Sequence, residues 1–460
     1  MTQSLIEHEA PDKPRETITL ERMSYGRDAI GRLANGKTVF VEDGVPEDRV
    51  ELEITNEKAS FARARIAQII EPSPDRVLSP CIYAGVCGGC SWQNLSYDLQ
   101  LRAKRENVIA ALTRTAHFDK EVAQLIVAPV IGSPDEWGYR NKLELGVTQD
   151  SHAKLLLGMY GDASHDLVPI ASCKLAHKKI QNTPKSLQGA LRFLQGTQDL
   201  GLFRVGVRHS NRTGECEVAL WTRPGAFPRA AVVKTLSSAL GCSSIVRVIA
   251  EEGKARKVKH VECLAGKGFW TEKMAGARFA ISAPSFFQVN TAQAEQLVRS
   301  AVNALGGTFE GETPRGLSGM LIGDLYAGAG TFSVQLARAG ADVIAVESAG
   351  SSVRDMRRNA DINNVDIEVI GGDAARELPE LGGLDALIVD PPRAGLADGV
   401  VESIAAAHPQ KVVYVSCDPQ TWARDVARFE HEGYRLTSVQ PVDLFPQTYH
   451  VEVVSAFERI

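Results

Sequence analysis

A cysteine at the end of an apolar run is the residue of this sequence best suited to covalent chemistry. The run Val412–Val415 leads into Ser416-Cys417, and Pro419 then predicts the end of a strand and the start of a helix. Ligands of open α/β sheets bind beyond the carboxyl ends of the strands, so we expect Cys417 at a ligand site. A thiolate there could add to C6 of a pyrimidine ring, which would make C5 nucleophilic enough to take a methyl group.

A second group is needed to remove the C5 proton, and Glu452 is the candidate general base. Strand alternation places Glu452 and Val454 on one face and Val451 and Val453 on the other, so the carboxylate stands on an apolar surface. Two alternatives stay open. Glu452 could face solvent on an edge strand, and Cys417 could be a small core residue.

A glycine-containing turn, Gly328-Ala329-Gly330, follows the acidic residue Asp324 and predicts a nucleoside site. A dinucleotide motif would carry a third glycine where this chain has Ser333, so a pyrophosphate ligand is disfavoured. A carboxylate suits a cationic sulfonium better than it suits a phosphate. The pattern therefore favours S-adenosylmethionine as the bound nucleoside.

Strands and helices alternate from residue 321 onward, which predicts an α/β domain with a parallel sheet. Glu347 ends the second strand, where it could bind both ribose hydroxyls, and Asp373 follows the third, where it could meet the adenine amino group. Two final β segments, about 434–440 and 451–458, would complete seven strands with one late reversed strand. The first five strands are predicted at 321–326, 342–347, 367–370, 386–390 and 411–416.

Cysteines cluster near residue 85, in Cys81-x5-Cys87-Gly88-Gly89-Cys90, which is a metal-binding pattern. Four thiolates fit either tetrahedral zinc or an iron–sulfur cluster, and the spacing does not choose between them. Cys173 is the best candidate for a fourth ligand. The remaining candidates are interpreted as buried apolar residues: Cys216, Cys242 and Cys263.

The first half of the chain is predicted to be mostly β. Short strands with glycine and asparagine turns between about 17 and 70 suit a small OB-like barrel, on which Arg63 and Arg65 share one face. An amphipathic helix is predicted at 95–116, with Leu99, Val108, Ile109 and Leu112 buried and Arg102, Lys104 and Arg105 outward. From 127 to about 282 the pattern is mixed and mostly β.

Composition sets wider bounds on function. The 460 residues are 44% hydrophobic with a net charge of −5, which argues against a protein that coats nucleic acid by charge alone. The sequence lacks both an apolar run of about 18 residues and an N-terminal signal-peptide pattern, so a cytoplasmic location without a membrane is expected. Nothing indicates an obligate dimer, and a monomer is expected.

The motifs occur in an order that resembles the RNA 5-methyluridine (uracil-5-) methyltransferase family. The similarity covers the chain from about residue 17 and is greatest to members that act on 23S rRNA and carry a TRAM domain and a [4Fe-4S] cluster; tRNA-specific members are expected to lack both. It is carried by the barrel, the cysteine pattern, Ser285–Asn290, Asp324–Phe332, Asp390-Pro391-Pro392-Arg393, Ser416-Cys417-Asp418-Pro419 and Asp443–Glu452.

The resemblance implies roles for individual residues. Cys417 would be the nucleophile and Glu452 the base. The implied S-adenosylmethionine contacts are Gln288, Tyr326, Thr331, Glu347, Asp373 and Asp390. The implied [4Fe-4S] ligands are Cys81, Cys87, Cys90 and Cys173. Two positions depart from the family: Asp418 and Thr331 stand where related enzymes commonly have asparagine.

The resemblance also implies a fold and a function. We expect a polar tail (1–15), an OB-like TRAM barrel (16–74), a mostly β central iron–sulfur and RNA-binding domain (75–283) and a class I, Rossmann-like methyltransferase domain (284–460). The helix at 95–116 would pack on that last domain. The expected reaction methylates C5 of a uridine in structured RNA, favouring 23S rRNA. The alternatives are a tRNA uridine-5 enzyme, an RNA cytosine-5 enzyme and a non-catalytic iron–sulfur RNA-binding module.

Overall fold

The computed structural model describes residues 15–162, 164, 166–196 and 199–460, without the side chains of residues 254–256. The predicted polar tail therefore lies outside the described residues, except for Arg15. The chain divides into two compact units. The first unit comprises the described residues up to 80, with 90–103 and 447–449. The second comprises the described residues of 81–89, 104–446 and 450–460.

The first unit is built on six strands. They are β1 (Arg15–Thr19), β2 (Arg22–Met23), β3 (Ala29–Arg32), β4 (Thr38–Glu42), β5 (Arg49–Glu57) and β6 (Phe61–Glu71). They form one sheet in the order β1-β5-β6-β4-β3-β2. Trp92 is buried in its core and donates Nε1–H to the carbonyl of Gly26 at 2.9 Å, which fixes the later segment onto the strands.

The second unit contains a seven-stranded sheet, which we call the central sheet. It confirms the prediction that residues 127 to about 282 are mostly β. Its order is β13-β12-β11-β10-β7-β8-β9, and only β11 and β12 pair in parallel. Its strands are β7 (Lys142–Gln149), β8 (Leu155–Tyr160), β9 (Leu167–Pro169), β10 (Leu202–His209), β11 (Cys216–Thr222), β12 (Ser244–Glu251) and β13 (Lys254–Ala265). The helices of this region are α1 (Tyr97–Thr115), which contributes to both units, α2 (Lys120–Ile126), α3 (Thr183–Gln195) and α4 (Arg229–Leu240).

Two short hairpins and a helix come next in the chain. The hairpin strands are β14 (Trp270–Met274) with β15 (Ala277–Ile281) and β16 (Thr308–Glu310) with β17 (Thr313–Arg315). Helix α5 (Thr291–Leu305) lies between the hairpins in sequence. Asn290 caps it by accepting the backbone N–H of Gln293.

The C-terminal sheet has the predicted topology, with seven strands ordered β20-β19-β18-β21-β22-β24-β23. The first five are parallel, and the last strand in sequence, β24, inserts antiparallel between β22 and β23. The strands are β18 (Leu321–Leu325), β19 (Asp342–Glu347), β20 (Glu368–Gly371), β21 (Ala386–Val389), β22 (Lys411–Ser416), β23 (Tyr434–Val442) and β24 (Glu452–Arg459). The intervening helices are α6 (Ser333–Arg338), α7 (Gly350–Asn363), α8 (Ala374–Glu377), α9 (Val400–Ala407) and α10 (Pro419–His431), with a 3-10 turn at Leu378–Glu380.

The residue composition of its strands explains why the C-terminal sheet is mainly parallel. Strands β21 and β22 are nearly continuous runs of buried aliphatic residues, as expected for strands covered by helices on both faces. The strand order reverses at β18, which has β19 on one side and β21 on the other. Such a reversal opens a crevice beyond the carboxyl ends of the strands, where α/β proteins bind ligands.

Helix α1 corrects one sequence-based expectation. Leu99, Val108, Ile109 and Leu112 are buried as predicted, but Lys104 is not outward: its side chain is completely buried. Its ammonium lies 2.5 Å from Oδ1 of Asp443 and also donates to the carbonyl of Phe445 at 3.1 Å. Burial lowers the pKa of Lys104, and the carboxylate of Asp443 opposes that shift. A helical periodicity cannot reveal such a partner more than 300 positions away.

None of the helices in the described ranges combines the length and apolarity needed to cross a bilayer.

Replacing Lys104 with methionine would leave the Asp443 carboxylate buried without its cation. We expect the free energy of unfolding to fall by about 3–5 kcal/mol in urea denaturation. The double variant Lys104→Met/Asp443→Leu should recover most of the loss because no charge is then left buried. The control Lys120→Met, at an exposed position of α2, should change stability by less than about 0.5 kcal/mol. Equal stability of the single and double variants would contradict this account.

Candidate active site

Cys417 lies directly after β22 and is half-buried, at the carboxyl edge of the C-terminal sheet. Asp418 caps the following helix α10: its Oδ1 accepts the backbone N–H groups of Gln420 at 2.9 Å and Thr421 at 3.2 Å. Aspartate and asparagine are comparable N-cap residues, so the departure at Asp418 keeps the capping function. The cap fixes the turn on which the thiol is presented.

Three carboxyl groups lie close enough to Cys417 to affect its ionisation, those of Glu452, Asp390 and Asp418. Burial, and then repulsion from Glu452 and Asp390, raises the pKa of the Cys417 thiol to about 12. Glu452 is buried on a strand that has neighbours on both sides, so the edge-strand alternative is excluded. Burial, and then repulsion from Asp390, raises the pKa of Glu452 to about 8. A carboxyl group with such a pKa can hold or accept a proton near neutral pH.

Arg393 supplies positive charge at the same place, a role that the sequence analysis did not assign. Its guanidinium opposes the rise in pKa of both Cys417 and Glu452. It also lies 3.5 Å from Nε2 of His450. Burial, followed by the nearby charge of Arg393, lowers the pKa of His450 to about 4, which keeps the imidazole neutral. The Asp-Pro-Pro-Arg motif was the available signal, because its arginine follows Asp390 by three positions.

Helix α10 holds the loop that carries Arg393. Thr421 Oγ1 donates to the carbonyl of Arg393 at 3.0 Å, and the buried carboxylate of Asp425 accepts the backbone N–H of Leu396 at 2.9 Å. Tyr414 of β22 donates its hydroxyl to the same Asp425 oxygen at 2.9 Å. The nucleophile candidate and the arginine are therefore positioned by one strand-helix element.

Asp324 lies at the end of β18 and is completely buried. Its Oδ2 accepts the hydroxyl of Ser333, while its Oδ1 has no hydrogen-bond partner in the part of the chain that the structure describes. Burial raises its pKa to about 7, and burial together with repulsion from Asp324 does the same for Asp390. A buried carboxyl oxygen without a donor is a position that a cationic ligand would stabilise.

The glycine turn after β18 is bound to the end of β19. Glu347 Oε2 accepts the backbone N–H of Gly328 at 2.9 Å, and its Oε1 accepts that of Ala349 at 2.6 Å. Tyr326 has a positive φ of 62°, a backbone conformation that residues other than glycine seldom adopt. Such strain is commonly found at ligand sites. These contacts place the turn and Glu347 together, as predicted for a nucleoside site.

The other predicted contact residues are more dispersed. Asp373 caps α8 by accepting the backbone N–H of Ala375 at 3.1 Å, and its charge contributes to raising the pKa of Tyr326 after the larger effect of burial. Thr331 is half-buried in the turn before α6. Gln288 is buried before α5, where Asn141 Nδ2 donates to its carbonyl at 2.9 Å. This hydrogen bond connects the Gln288 backbone to Asn141, which is not part of the glycine turn.

Three of the four predicted cluster cysteines belong to the second unit. Burial raises the pKa of the Cys87 thiol, and Cys173 and Cys81 add to the rise while Arg140 opposes it. Tyr83 connects the two segments: its carbonyl accepts the N–H of Cys87 at 2.9 Å, and its hydroxyl accepts the N–H of Ala171 at 2.8 Å. Cys90 belongs to the first unit.

The donor set has the chemistry of a thiolate-bound metal site. Three half-buried thiols that affect one another's charge are suitable soft ligands for iron or zinc, and a nearby arginine favours thiolates. Within the described ranges, however, no three His, Cys, Asp or Glu side chains are arranged closely enough to hold a metal ion. Of the remaining cysteines, Cys216 and Cys242 are half-buried and Cys263 is exposed, so the prediction of a buried Cys263 was wrong. It lies on β13, at one edge of the central sheet.

Comparison with known families gives two matches. A sequence model described as tRNA (Uracil-5-)-methyltransferase matches residues 382–460, which contain Cys417 and Glu452. A TRAM domain model matches residues 15–67, the region of β1–β6.

Relatives match over nearly the whole chain. An uncharacterized RNA methyltransferase of Gloeobacter violaceus is 36% identical over 459 residues, covering 96% of each chain. One of Listeria innocua is 33% identical over 452 residues, covering 95% of this chain and 96% of the relative. The crystal structure of Pyrococcus abyssi tRNA (uracil-54, C5)-methyltransferase in complex with S-adenosyl-L-homocysteine is 26% identical, with a TM-score of 0.72, and covers 96% of this chain and 100% of that chain.

The Pyrococcus abyssi match corrects one expectation. That protein is described as a tRNA enzyme, yet its alignment covers 96% of this chain and so extends into the N-terminal barrel. The presence of a barrel therefore does not distinguish rRNA enzymes from tRNA enzymes, contrary to the expectation stated above.

Asp324→Asn should change how stability depends on pH. The folded-state pKa of Asp324, about 7, is above its ordinary value of 3.8, so ionisation destabilises the fold. As pH rises from about 4 to 7, the wild type should lose up to about 4 kcal/mol more stability than the asparagine variant, in which Asp390 and Glu452 still titrate. Urea denaturation at several pH values measures this.

The slope against pH is the readout for Asp324→Asn, because an uncharged amide can add a constant offset. Asp398→Asn, which changes an exposed carboxyl, is the matched control and should leave the slope as in the wild type. Parallel curves for Asp324→Asn and the wild type would contradict the assignment of a buried, costly charge.

Proposed function

We propose that this chain, which belongs to the RNA uracil-5-methyltransferase family, methylates C5 of a uridine in structured RNA through a covalent bond to Cys417. The observation that carries the proposal is the convergence of Cys417, Asp390 and Glu452 at the carboxyl edge of the C-terminal sheet. A thiol, a carboxyl group of raised pKa and a cation-binding carboxylate are the three groups that this reaction needs. S-adenosylmethionine supplies the methyl group as an electrophilic sulfonium.

Cys417 begins the proposed reaction by losing its proton and forming a bond from Sγ to C6 of the uracil. The resulting enolate has enough electron density at C5 to take the methyl group, which leaves S-adenosylhomocysteine. Glu452 then removes the C5 proton, and the Sγ–C6 bond breaks to regenerate the thiolate. The net change converts uridine and S-adenosylmethionine into 5-methyluridine, S-adenosylhomocysteine and one proton.

The electrostatics of the site order these steps. The Cys417 thiolate is disfavoured while the neighbouring carboxyl groups are not balanced by positive charge. The positive charge of a bound sulfonium would balance the carboxylate of Asp390 and so reduce its repulsion of the thiolate. Arg393 acts in the same direction. We therefore propose that the thiol becomes reactive after the cofactor binds.

We retain as proposals the nucleoside contacts predicted from the sequence. Glu347 would bind the ribose hydroxyls, Asp373 would meet the adenine amino group, and Asp390 would face the sulfonium. The further proposed contacts are Gln288, Tyr326 and Thr331. In the described fold Glu347 already accepts two backbone N–H groups, so ribose hydroxyls would share its oxygens.

We propose 23S rRNA as the substrate, on the resemblance of the complete motif order to that branch of the family. A tRNA uridine is the second candidate, and the observation that favours it is the 26% identity to the Pyrococcus abyssi tRNA enzyme over 96% of this chain. In either RNA the target base must leave its stack to reach Cys417. The proposal also places the protein in the cytoplasm, where unmodified RNA is available, as a monomer.

A [4Fe-4S] cluster bound by Cys81, Cys87, Cys90 and Cys173 is part of the proposal. The supporting observation is that Cys81 and Cys173 both influence the charge of the Cys87 thiol, although Cys173 is distant in sequence. The cluster would join two segments of the chain and shape the surface that binds RNA. No step of methyl transfer requires it.

Cys417→Ala should abolish product formation because it removes the thiol proposed to add to C6. Protein purified without oxygen is incubated with methyl-labelled S-adenosylmethionine and unmodified 23S rRNA or tRNA transcripts, and the digested nucleosides are identified by mass spectrometry. Cys216→Ala removes an equally half-buried thiol of similarly raised pKa and should keep full activity. Label in 5-methylcytidine, or 5-methyluridine from the Cys417→Ala variant, would sink the proposed reaction.

Glu452→Gln should lower kcat by about 10²–10⁴-fold, because amide oxygen cannot take the C5 proton. A covalent protein–RNA adduct should then accumulate and resist denaturing electrophoresis, since the Sγ–C6 bond cannot break. In the wild type, kcat/KM should rise with pH through about 8, as Glu452 loses its proton in the free enzyme. A normal rate for Glu452→Gln would exclude its role as the base.

Cys173→Ser should lower the iron and sulfide content of anaerobically purified protein and reduce its absorbance near 400 nm. Cys242→Ser, another half-buried position outside the proposed ligand set, should leave both unchanged. Zinc in place of iron in the wild type, or equal metal content in both variants, would overturn the cluster assignment.

A further inference from the structure

The β14–β15 hairpin presents one face to a cleft of about 470 Å³ in the second unit. Strand alternation places Thr271 and Lys273 of β14 on that face, opposite Ala280 and Arg278 of β15 in the antiparallel register. The cleft, which we call the hairpin cleft, is lined by Arg212, Thr213, Glu215, Lys267, Phe269, Thr271, Lys273, Arg278, Ala280 and Ile362.

Lys273 and Arg278 are directly opposite each other in the hairpin, and both are exposed. Like charges at such a position destabilise a strand pair, because their Cβ atoms are only about 5 Å apart. Within the described part of the chain, neither side chain has a hydrogen bond or an ion pair with an acidic group. The pair is therefore an electrostatic cost to the isolated protein that an anionic ligand would remove.

Two further cations line the hairpin cleft and are already oriented by carboxylates. Arg212 forms a two-pronged ion pair with Glu295 and also donates to the carbonyl of Lys273 at 3.0 Å. Lys267 lies 3.0 Å from Glu215. Glu215 is the only acidic residue among those lining the cleft, and its other oxygen accepts the backbone N–H of Thr271. The cleft thus has four cations against one carboxylate, in a chain whose net charge is −5.

The hairpin is attached firmly to helix α7 of the C-terminal sheet. Side chains of α7 hydrogen-bond the outer backbone of β15: Asn363 accepts from the N–H of Arg278 at 2.8 Å and Asn359 from that of Ala280 at 2.7 Å. Asn359 also donates to the carbonyl of Ala329, in the glycine turn. A ligand held by the hairpin would therefore be held in a fixed position relative to the candidate active site.

We propose that the hairpin cleft binds the phosphate backbone of the RNA substrate, with Lys273 and Arg278 as the principal contacts. RNA as the ligand rests on the proposed function; the anionic character of the ligand rests on the cleft itself. Two adjacent cations without acidic partners suit successive phosphates of one strand. Half-buried Phe269 also lines the cleft. The Cζ atom of Arg358 lies 4.7 Å from the centroid of its ring.

The test compares Lys273→Gln/Arg278→Gln with Arg114→Gln/Lys120→Gln, a pair of exposed cations outside the cleft with the same change in net charge. Binding of fluorescent 30-nucleotide oligouridylate and of unmodified 23S rRNA and tRNA transcripts is measured across a salt series. The hairpin variant should bind at least one of these RNAs about tenfold more weakly at low salt. The slope of log K against log salt should become shallower by about one for each cation removed.

A charge reversal separates binding from folding. Lys273→Glu places a carboxylate opposite Arg278, so the thermal midpoint should stay equal to that of the wild type or rise, while RNA affinity falls further than in the glutamine variant. Equal affinities and salt slopes for the hairpin and control variants would overturn the proposal. A fall in affinity that occurs only together with a lower thermal midpoint would also overturn it.

Methyl transfer by the wild type, measured on the same RNAs, separates this inference from the proposed function. If the wild type forms 5-methyluridine and the hairpin variant binds RNA normally, the cleft proposal alone fails. If the wild type transfers no methyl group but its RNA affinity depends on Lys273 and Arg278, the proposed function fails and the cleft proposal stands.

Discussion

Repulsion among acidic groups at the carboxyl edge of the C-terminal sheet is the constraint to which the rest of the site responds. Asp324, Asp390 and Glu452 all have raised pKa values because burial removes water and each group lies near another. Such a cluster is unfavourable in the isolated protein unless some groups keep their protons. A cationic ligand relieves this repulsion, which makes a sulfonium cofactor a natural occupant of this edge. The thiol of Cys417 is governed by the same balance of charge.

The topology of the sheet explains why these groups meet. Parallel strands β18 and β21 bring Asp324 and Asp390 to one edge, and β22 brings Cys417 beside them. Glu452 reaches the same edge from the opposite direction, because β24 is antiparallel and begins where β22 ends. The reversed strand thus adds a carboxyl group without another helical crossover. Helix α10 then stabilises the arrangement by holding the loop that carries Arg393.

The sequence was most informative where chemistry and periodicity coincide. The bounds of β19 and β22 were predicted to the residue, and the apolar neighbours of Glu452 favoured the burial that the structure shows. Long-range pairing was not predictable: the helical pattern predicted an outward Lys104, and no local pattern indicated Asp443 as its buried partner. The domain boundaries and the roles of individual site residues stay predictions, since they depend on ligands and RNA.

The contacts between α7 and β15 have a consequence for the protein's behaviour at high concentration. The outer edge of a two-stranded hairpin offers unpaired backbone groups to any other strand, and thereby favours intermolecular sheet formation. Here the side chains of Asn359, Asn363 and Asp355 occupy those groups, as a neighbouring strand would. These polar residues of a helix therefore protect the molecule from self-association, and their loss would first appear as aggregation of an otherwise folded protein.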